Sequence, residues 1–93
     1  MKIIIGQDFK NDYTTREAGE KLRKIIVQAN EKIELDFTNI KVASASFFDE
    51  GIAKLVQEGW SSEKIKEMIS FENIFNRDME LLKSVCLGRN IKI

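Results

Sequence analysis

Four carboxylates of this chain have the residue types that a cation site needs. Asp36 lies at the carboxyl end of a predicted strand in which apolar and acidic residues alternate, and open α/β sheets usually bind ligands at the carboxyl ends of their strands. Together with Asp8, Asp49 and Glu50 it would offer the oxygen ligands that hard cations prefer. A small metal-dependent enzyme using Asp36, Asp49 and Glu50 is therefore one hypothesis, although no pairing of these residues has a spacing diagnostic of catalysis.

Two serines, Ser44 and Ser46, offer hydroxyl chemistry just before and at the start of a predicted helix. Ser46 followed by Asp49 is typical of a helix N-cap with an acidic third residue. The alternative is a phosphosite, whose added charge Asp49 and Glu50 would oppose. Ser44 is expected outside the helix as the more accessible hydroxyl, either a plain loop serine or a second phosphosite.

Composition excludes several other classes of chemistry. The chain has 93 residues, which predicts one domain spanning 1–93, and 15 basic against 15 acidic side chains. A formal charge of zero, with the basic residues interleaved among acids, argues against a nucleic-acid or anionic-membrane partner. The absence of His removes the usual proton shuttle and metal ligand. No metal or cofactor is expected.

The single cysteine and the five glycines are equally restrictive. Cys86 cannot form an internal disulfide, and its place on the apolar side of the last predicted helix indicates a buried filler. The glycines are scattered and form no phosphate-binding loop. The first five residues are too short for a signal sequence, so a cytoplasmic location is expected.

Periodicity predicts the elements that must position these side chains. The predicted order is β-α-β-(β)-α-β-α-β, with strands at 2–5, 32–37, 68–72 and 91–93, helices at 15–29 and 47–58, a helical turn at 62–67, and a last helix before Gly88. The 40–43 stretch is either a short extension or a third strand. Thr14 should cap the first helix, Gly59 should end the second, and Asn73 or Asn76 should cap the last. Crossover helices between strands predict a mixed, mostly parallel sheet flanked by helices.

Three residues of the predicted helices raise questions of packing. Gly19 inside the first helix hints at close contact with another element. Phe47 lies about 100° from the apolar stripe of the second helix, beside Gly51, and is expected to be half exposed as a docking anchor. The alternative is burial under a neighbouring loop, and Trp60 has the same two interpretations.

The chain resembles the STAS-like domains of bacteria, relatives of the sulfate-transporter and anti-sigma-factor-antagonist fold. The resemblance rests on Leu35-Asp36-Phe37, on the 46–50 stretch Ser-Phe-Phe-Asp-Glu, and on an upstream pattern of Gly6, Phe9, Arg16 and Ala18. It implies a mixed sheet flanked by helices, no enzymatic activity, and regulation through protein contacts. Such domains often accompany histidine-kinase-like ATPases, the fold of anti-sigma kinases.

The resemblance also places a phosphorylation motif at the start of the second helix. Anti-sigma antagonists have Asp-Ser-Ser-Gly there, and laying that pattern on this chain aligns it with residues 44–47. The phosphorylated position falls on Ala45. Ser44 and Ser46 are the neighbouring hydroxyls that would have to substitute.

These observations predict a non-catalytic regulatory module that binds a protein, such as a histidine-kinase-like ATPase or an anti-sigma factor. The predicted partner-binding residues lie at the strand end, in the loop and at the helix start: Asp36, Asn39, Ser44, Ser46, Phe47 and Glu50. The alternatives are the metal-dependent enzyme and a structural homo-oligomer, for example a homodimer that buries the Phe47 and Trp60 surface. Each places function on a different set of side chains.

Overall fold

Three short parallel strands form the sheet, in the spatial order β1-β2-β3. The computed structural model describes residues 1–10 and 12–93. The strands are β1 (Lys2–Ile4), β2 (Ile33–Asp36) and β3 (Ile69–Glu72). The helices are α1 (Ile5–Asp8), α2 (Arg16–Ala29), α3 (Ala45–Gly51), a 3₁₀ helix (Ala53–Glu58), α4 (Ser62–Met68) and α5 (Asn76–Leu87). The predicted α/β class, a sheet flanked by helices, is confirmed.

Strand β2 lies in the middle of the sheet and brings the predicted site residue Asp36 to its carboxyl end. Leu35 of β2 is opposite Ile3 of β1 on one side and Phe71 of β3 on the other. Leu35 and Ile3 are buried, as expected for strands covered by helices. The helical connections between successive strands allow all three to run in parallel.

Helix α2 confirms the first predicted helix, but its cap is one residue later than expected. The Thr15 side chain, not that of Thr14, accepts the hydrogen bond from the Ala18 amide at 3.1 Å. The Thr15 hydroxyl also donates to the Asp12 carboxylate at 2.8 Å. This second bond orients the Thr15 hydroxyl and explains why the cap falls there.

The close packing expected at Gly19 is confirmed, and it joins α2 to α3. A Cβ added to Gly19 would lie 2.8 Å from both the Cβ of Glu50 and the carbonyl oxygen of Phe47. A Cβ on Gly51 would lie 3.1 Å from Leu22 Cδ2. The two helices therefore approach closely where both lack a side chain, and we call this contact the α2–α3 seam.

Two predictions at element ends are wrong, the end of the first strand and the cap of the last helix. The first strand ends at Ile4, whose amide donates to the Asp8 carboxylate at 2.8 Å, and α1 begins at the next residue. Helix α5 starts after Phe75, which supplies no side-chain cap. Asn73 instead donates its side-chain amide to Asp36 at 3.1 Å, and Asn76 is already the first helical residue.

The stretches 40–43 and 91–93 do not form strands in the described part of the chain. The Val42 amide donates to the carboxylate of Asp78 at 2.7 Å. The Ile91 amide donates to the carbonyl oxygen of Cys86 at 2.9 Å, and the Ile91 side chain is buried. These amides therefore have partners outside the sheet, which a period-2 pattern does not reveal.

The predicted 47–58 helix is two elements, α3 and the 3₁₀ helix. The chain turns between them at Ile52, and Gly59 then ends the second element with φ of +84°, a conformation that favours glycine. The role predicted for Gly59 is confirmed. The predicted helical turn at 62–67 and strand at 68–72 correspond to α4 and β3 with boundaries shifted by one residue.

The expectation that Phe47 is half exposed is wrong, and Trp60 is buried too. Phe47 has no exposed surface and meets the ring of Phe9 edge-on at 6.0 Å between centroids. Gly51, predicted to lie beside an exposed Phe47, instead packs against α2 across the seam. The surface proposed for a Phe47–Trp60 homodimer is therefore inside the domain.

Candidate functional site

The carboxyl end of β2 is a closed hydrogen-bonded turn. Asp36 is buried and accepts hydrogen bonds from the Thr38 hydroxyl at 2.5 Å, the Thr38 amide at 2.9 Å and the Asn73 side chain at 3.1 Å. The Thr38 hydroxyl, followed by Asn73, lowers the pKa of Asp36 to about 2. Lys2 Nζ lies 3.6 Å away. Asp36 is therefore an ionised support for the turn.

Asn39 lies at the tip of this turn and is exposed. Its φ of +60° is in the left-handed region, which Asn adopts more readily than most residues. The amide of Ile40 then donates to the Phe37 carbonyl oxygen at 3.2 Å and closes the turn. Among the predicted partner-binding residues, Asn39 has the most accessible position.

A second buried carboxylate, Asp78, holds the next part of the loop. It lies in the first turn of α5 and accepts the amides of Val42 at 2.7 Å and Ala43 at 2.9 Å. Ala43 has φ of +47°, an uncommon conformation for a residue with a Cβ. Two charge-assisted hydrogen bonds on adjacent amides stabilise that conformation. Sequence analysis missed Asp78, because an acidic residue in a first helical turn is equally typical of a solvated surface.

Ser44, not Ser46, caps α3. Its hydroxyl oxygen accepts the Phe47 amide at 3.2 Å and donates to the Thr14 carbonyl at 2.5 Å. The assignment of the cap to Ser46 is therefore wrong by two residues. Ser44 has an extended backbone and directly follows Ala43, whose amide Asp78 holds.

Ser46 lies in the first turn of α3 and is half-buried. Among residues 1–10 and 12–93, no side-chain hydrogen bond involves its hydroxyl. The Ser44 hydroxyl is occupied by two bonds, whereas that of Ser46 is available. Ser44 and Ser46 are both half-buried, so they differ in the bonding of their hydroxyls and not in exposure.

Glu50 lies in the α2–α3 seam and is surrounded by cations. Its carboxylate contacts Lys54 at 2.6 Å, Arg16 at 3.2 Å and Arg23 at 3.2 Å. These contacts, led by the Lys54 hydrogen bond, lower the pKa of Glu50. Arg23 also donates to the Glu50 carbonyl oxygen at 2.5 Å. Glu50 is 8% exposed, and of its partners Arg16, with a side chain 56% exposed, carries this network to the surface.

Asp49 continues the same network toward the C-terminal end of the chain. Arg89 donates to it from Nε at 2.6 Å and from Nη2 at 3.0 Å, and Arg16 donates at 3.3 Å. The Arg89 hydrogen bond is the main cause that lowers the pKa of Asp49, and Asp49 in turn raises the pKa of Arg89. Both acids expected to oppose a phosphate on Ser46 are therefore neutralised by cations.

The four carboxylates of the metal hypothesis are not brought together. Asp8 accepts the Ile4 amide, Asp36 supports its turn, and Asp49 and Glu50 pair with Arg and Lys side chains. No group of three or more acidic, His or Cys side chains in residues 1–10 and 12–93 has a metal-binding arrangement. The predicted enzyme site therefore does not form from these residues.

An open groove that sequence analysis missed lies beside the loop. It has a volume of about 420 Å³ and is lined by Lys41, Ala43, Phe75, Asn76, Arg77 and Asp78. Phe75 is 45% exposed, and Lys41 Nζ lies 5.6 Å from the centroid of its ring. The only sequence signal for it was an aromatic residue just before the last helix.

Cys86 is fully buried, as predicted, and burial raises its pKa to about 11. None of the helices in residues 1–10 and 12–93 combines the length and the apolar character that a bilayer crossing requires.

Comparison with known proteins gives one match. The family model described as a STAS-like domain of unknown function (DUF4325) matches residues 18–79, more than half of the chain. No curated protein and no solved structure matches. The matched range includes β2, the loop after it, α3 and β3.

Proposed function

We propose that this chain, which belongs to the STAS-like domains of unknown function, is a non-catalytic regulatory module that binds a protein partner through the 38–44 loop and the first turn of α3. The resemblance to anti-sigma-factor antagonists supports a non-catalytic role. The proposed contact residues are Asn39, Ser44 and Ser46. Asp36, Phe47 and Glu50, the other predicted partner-binding residues, act beneath this surface as supports.

The observation that carries the proposal is the way in which the 38–44 loop is held. Two buried carboxylates, Asp36 and Asp78, bond the amides of Thr38, Val42 and Ala43. These buried carboxylates hold the loop backbone from the interior of the domain, while Asn39 and Ala43 stay exposed to solvent. A pre-organised surface loop loses little conformational freedom when a partner binds, which favours recognition.

Modification of Ser46 is the proposed means of regulation. Its hydroxyl is available, whereas Ser44 is committed to capping α3. A phosphate adds nearly two negative charges and three acceptor oxygens. Arg16, which lies 3.3 Å from Asp49, is the most exposed cation of this network, and we expect its side chain to reorient toward the phosphate. The resemblance to anti-sigma antagonists supports a histidine-kinase-like ATPase as the partner.

Site-specific photo-crosslinking in the native host tests this proposal. A photoreactive amino acid is placed at Asn39 or at Ser46, and a matched control is placed at Gln28, an exposed residue of α2. Mass spectrometry should find one protein, an ATPase or sigma regulator, enriched at both loop positions and not at Gln28. Equal labelling at all three positions, or no protein product at the loop, contradicts the proposed surface.

The regulatory part is tested with the partner that crosslinking identifies, once that partner has been purified on its own. Calorimetry should show that Ser46→Asp weakens binding about tenfold or more, since a carboxylate introduces charge at the contact. Ser46→Ala should bind like the unmodified chain. If Ser46→Asp binds with unchanged affinity, Ser46 is not the regulatory residue.

A further inference from the structure

Two cationic side chains line the groove beside the 38–44 loop. Its cations are Lys41 on the loop and Arg77 in the first turn of α5, and both side chains are exposed. Among residues 1–10 and 12–93, neither forms an ion pair within 4.0 Å, whereas Arg16, Arg23 and Arg89 each pair with an acid. Two cations are thus presented to solvent in a chain whose formal charge is zero.

The acidic residue that lines the groove does not balance these cations. Asp78 is 4% exposed, and its two oxygens accept the amides of Val42 and Ala43. The negative charge of Asp78 is therefore compensated by these two backbone amides. The accessible charge of the lining is positive.

The groove also offers apolar surface directly beside this charge. Phe75 is 45% exposed, and Ala43 also lines the groove. The ammonium of Lys41 is 5.6 Å from the Phe75 ring, so cation and aromatic face form one continuous surface. An occupant that matches this surface carries carboxylates and at least one apolar side chain, because charge complementarity and aromatic anchors favour such a contact.

We infer that the groove binds an acidic segment of the protein partner, in which an apolar side chain contacts Phe75 and flanking carboxylates contact Lys41 and Arg77. This inference rests on the proposed function and names the chemistry of the partner at one edge of its surface. Asp78 holds the loop backbone at Val42 and Ala43, so we expect binding without rearrangement of the loop there.

A peptide titration followed by nitrogen-15 NMR tests the inference on the full chain. The probe is an acetylated and amidated pentapeptide with one leucine between two pairs of glutamates. The matched peptide has glutamine at all four flanking positions. We expect the acidic peptide to shift the amide signals of Lys41, Ala43 and residues 75–77, and the glutamine peptide to bind at least about fivefold more weakly.

Charge substitutions and salt sharpen the result. The double variant Lys41→Gln with Arg77→Gln should weaken binding of the acidic peptide about fivefold or more, and added salt should weaken it in the unmodified chain. Lys83→Gln removes one charge from an exposed position of α5 outside the groove and should leave the affinity unchanged. The dispersion of each spectrum shows that the variants are folded.

Four outcomes overturn the inference. Two concern the peptides: no shifts at about 5 mM acidic peptide, which is the limit of weak binding, or equal binding of the two peptides. The third is equal shifts with inorganic phosphate, which would indicate a simple anion site, and the fourth is the same shifts on concentrating the chain alone, which would indicate a second copy as occupant. The proposed function is tested separately, since loop-specific crosslinks at Asn39 and Ser46 would persist if the groove takes no acidic segment. Loss of those crosslinks alongside intact peptide binding would contradict the proposed function instead.

Discussion

The α2–α3 seam and the groove beside α5 each contain a phenylalanine, a buried carboxylate and at least two cations, yet only the phenylalanine of the groove is exposed. Phe47 in the seam has no exposed surface, whereas Phe75 in the groove is 45% exposed. Glu50 in the seam is surrounded by three cationic side chains, and Asp78 below the groove is bonded to two backbone amides. The same residue types therefore serve helix packing in one place and loop shape in the other.

The difference follows from what each carboxylate contacts. Because Glu50 pairs with side chains of α2, Arg16 and Arg23, it uses up the cations around it and ties two helices together. Because Asp78 bonds to amides instead, Lys41 and Arg77 stay accessible. In these two regions, the cations stay accessible beside the acid that is bonded to backbone amides.

Truncating the two aromatic rings should separate the regions most strongly. Phe47→Ala removes a fully buried ring and is expected to lower the free energy of unfolding by about 4 kcal/mol. Phe75→Ala should change it by no more than about 1 kcal/mol, because nearly half of that side chain already contacts water. Urea unfolding measures both, and Phe47→Leu provides a milder variant if Phe47→Ala does not fold. Equal losses for the two alanine variants would contradict the contrast.

Removing Asp78 should have the next largest effect. Asp78→Ala leaves the amides of Val42 and Ala43 without their buried acceptor, at a cost of about 2 kcal/mol. Hydrogen exchange should become faster at these two amides in particular. The control Glu80→Ala, at an exposed position of the same helix, should stay within about 0.5 kcal/mol of the parent chain. Unchanged protection of Val42 and Ala43 would show that Asp78 does not hold the loop.

Adding one methyl group to the seam should cost somewhat less. Gly19→Ala places a Cβ 2.8 Å from the backbone oxygen of Phe47, which cannot move as freely as a side chain. Overpacking of roughly 2–3 kcal/mol, offset by about 1 kcal/mol of gained helix propensity, gives a net loss of about 1–2 kcal/mol. Gln28→Ala on the exposed side of α2 should not destabilise the chain. If urea unfolding shows that Gly19→Ala is more stable than the parent chain, the seam has room for the added methyl group.

The smallest expected effect is the acid dependence of the turn at Asp36. Its folded-state pKa of about 2 lies below the ordinary value of 3.8, so the ionised form stabilises the fold above pH 4, and this contribution is lost as the pH falls toward 2. The stability difference between the parent chain and Asp36→Asn should therefore shrink between pH 5 and pH 2.5. A constant difference across this range would contradict the assignment. Glu67→Gln, at an exposed position of α4, is the control.

Local patterns were sufficient to predict the elements that carry strong periodicity. The spacing of Leu22 and Ile26 predicted α2, and the alternation of Ile33 and Leu35 predicted β2. Gly19 correctly indicated close packing, because a glycine inside an amphipathic helix has few other uses. These signals depend only on residues close in sequence.

The parts that sequence could not predict depend on contacts between distant residues. The burial of Phe47 depends on where α2 crosses α3, which periodicity within one helix does not specify. The capping role of Ser44 follows from the loop conformation that Asp78, 34 positions later in the chain, stabilises. The groove arises from the same contact, and for that reason Lys41 and Arg77 gave no signal as a pair.

Cys86 can serve as a built-in probe of how often the domain opens. The chain has one thiol, and it is fully enclosed with a pKa raised to about 11. Because the thiol is buried and the thiolate is the reactive form, a disulfide reagent can react with it only while the last helix is open. Labelling kinetics at this sulfur would therefore report how often the domain opens, with no reporter group added to either the seam or the groove.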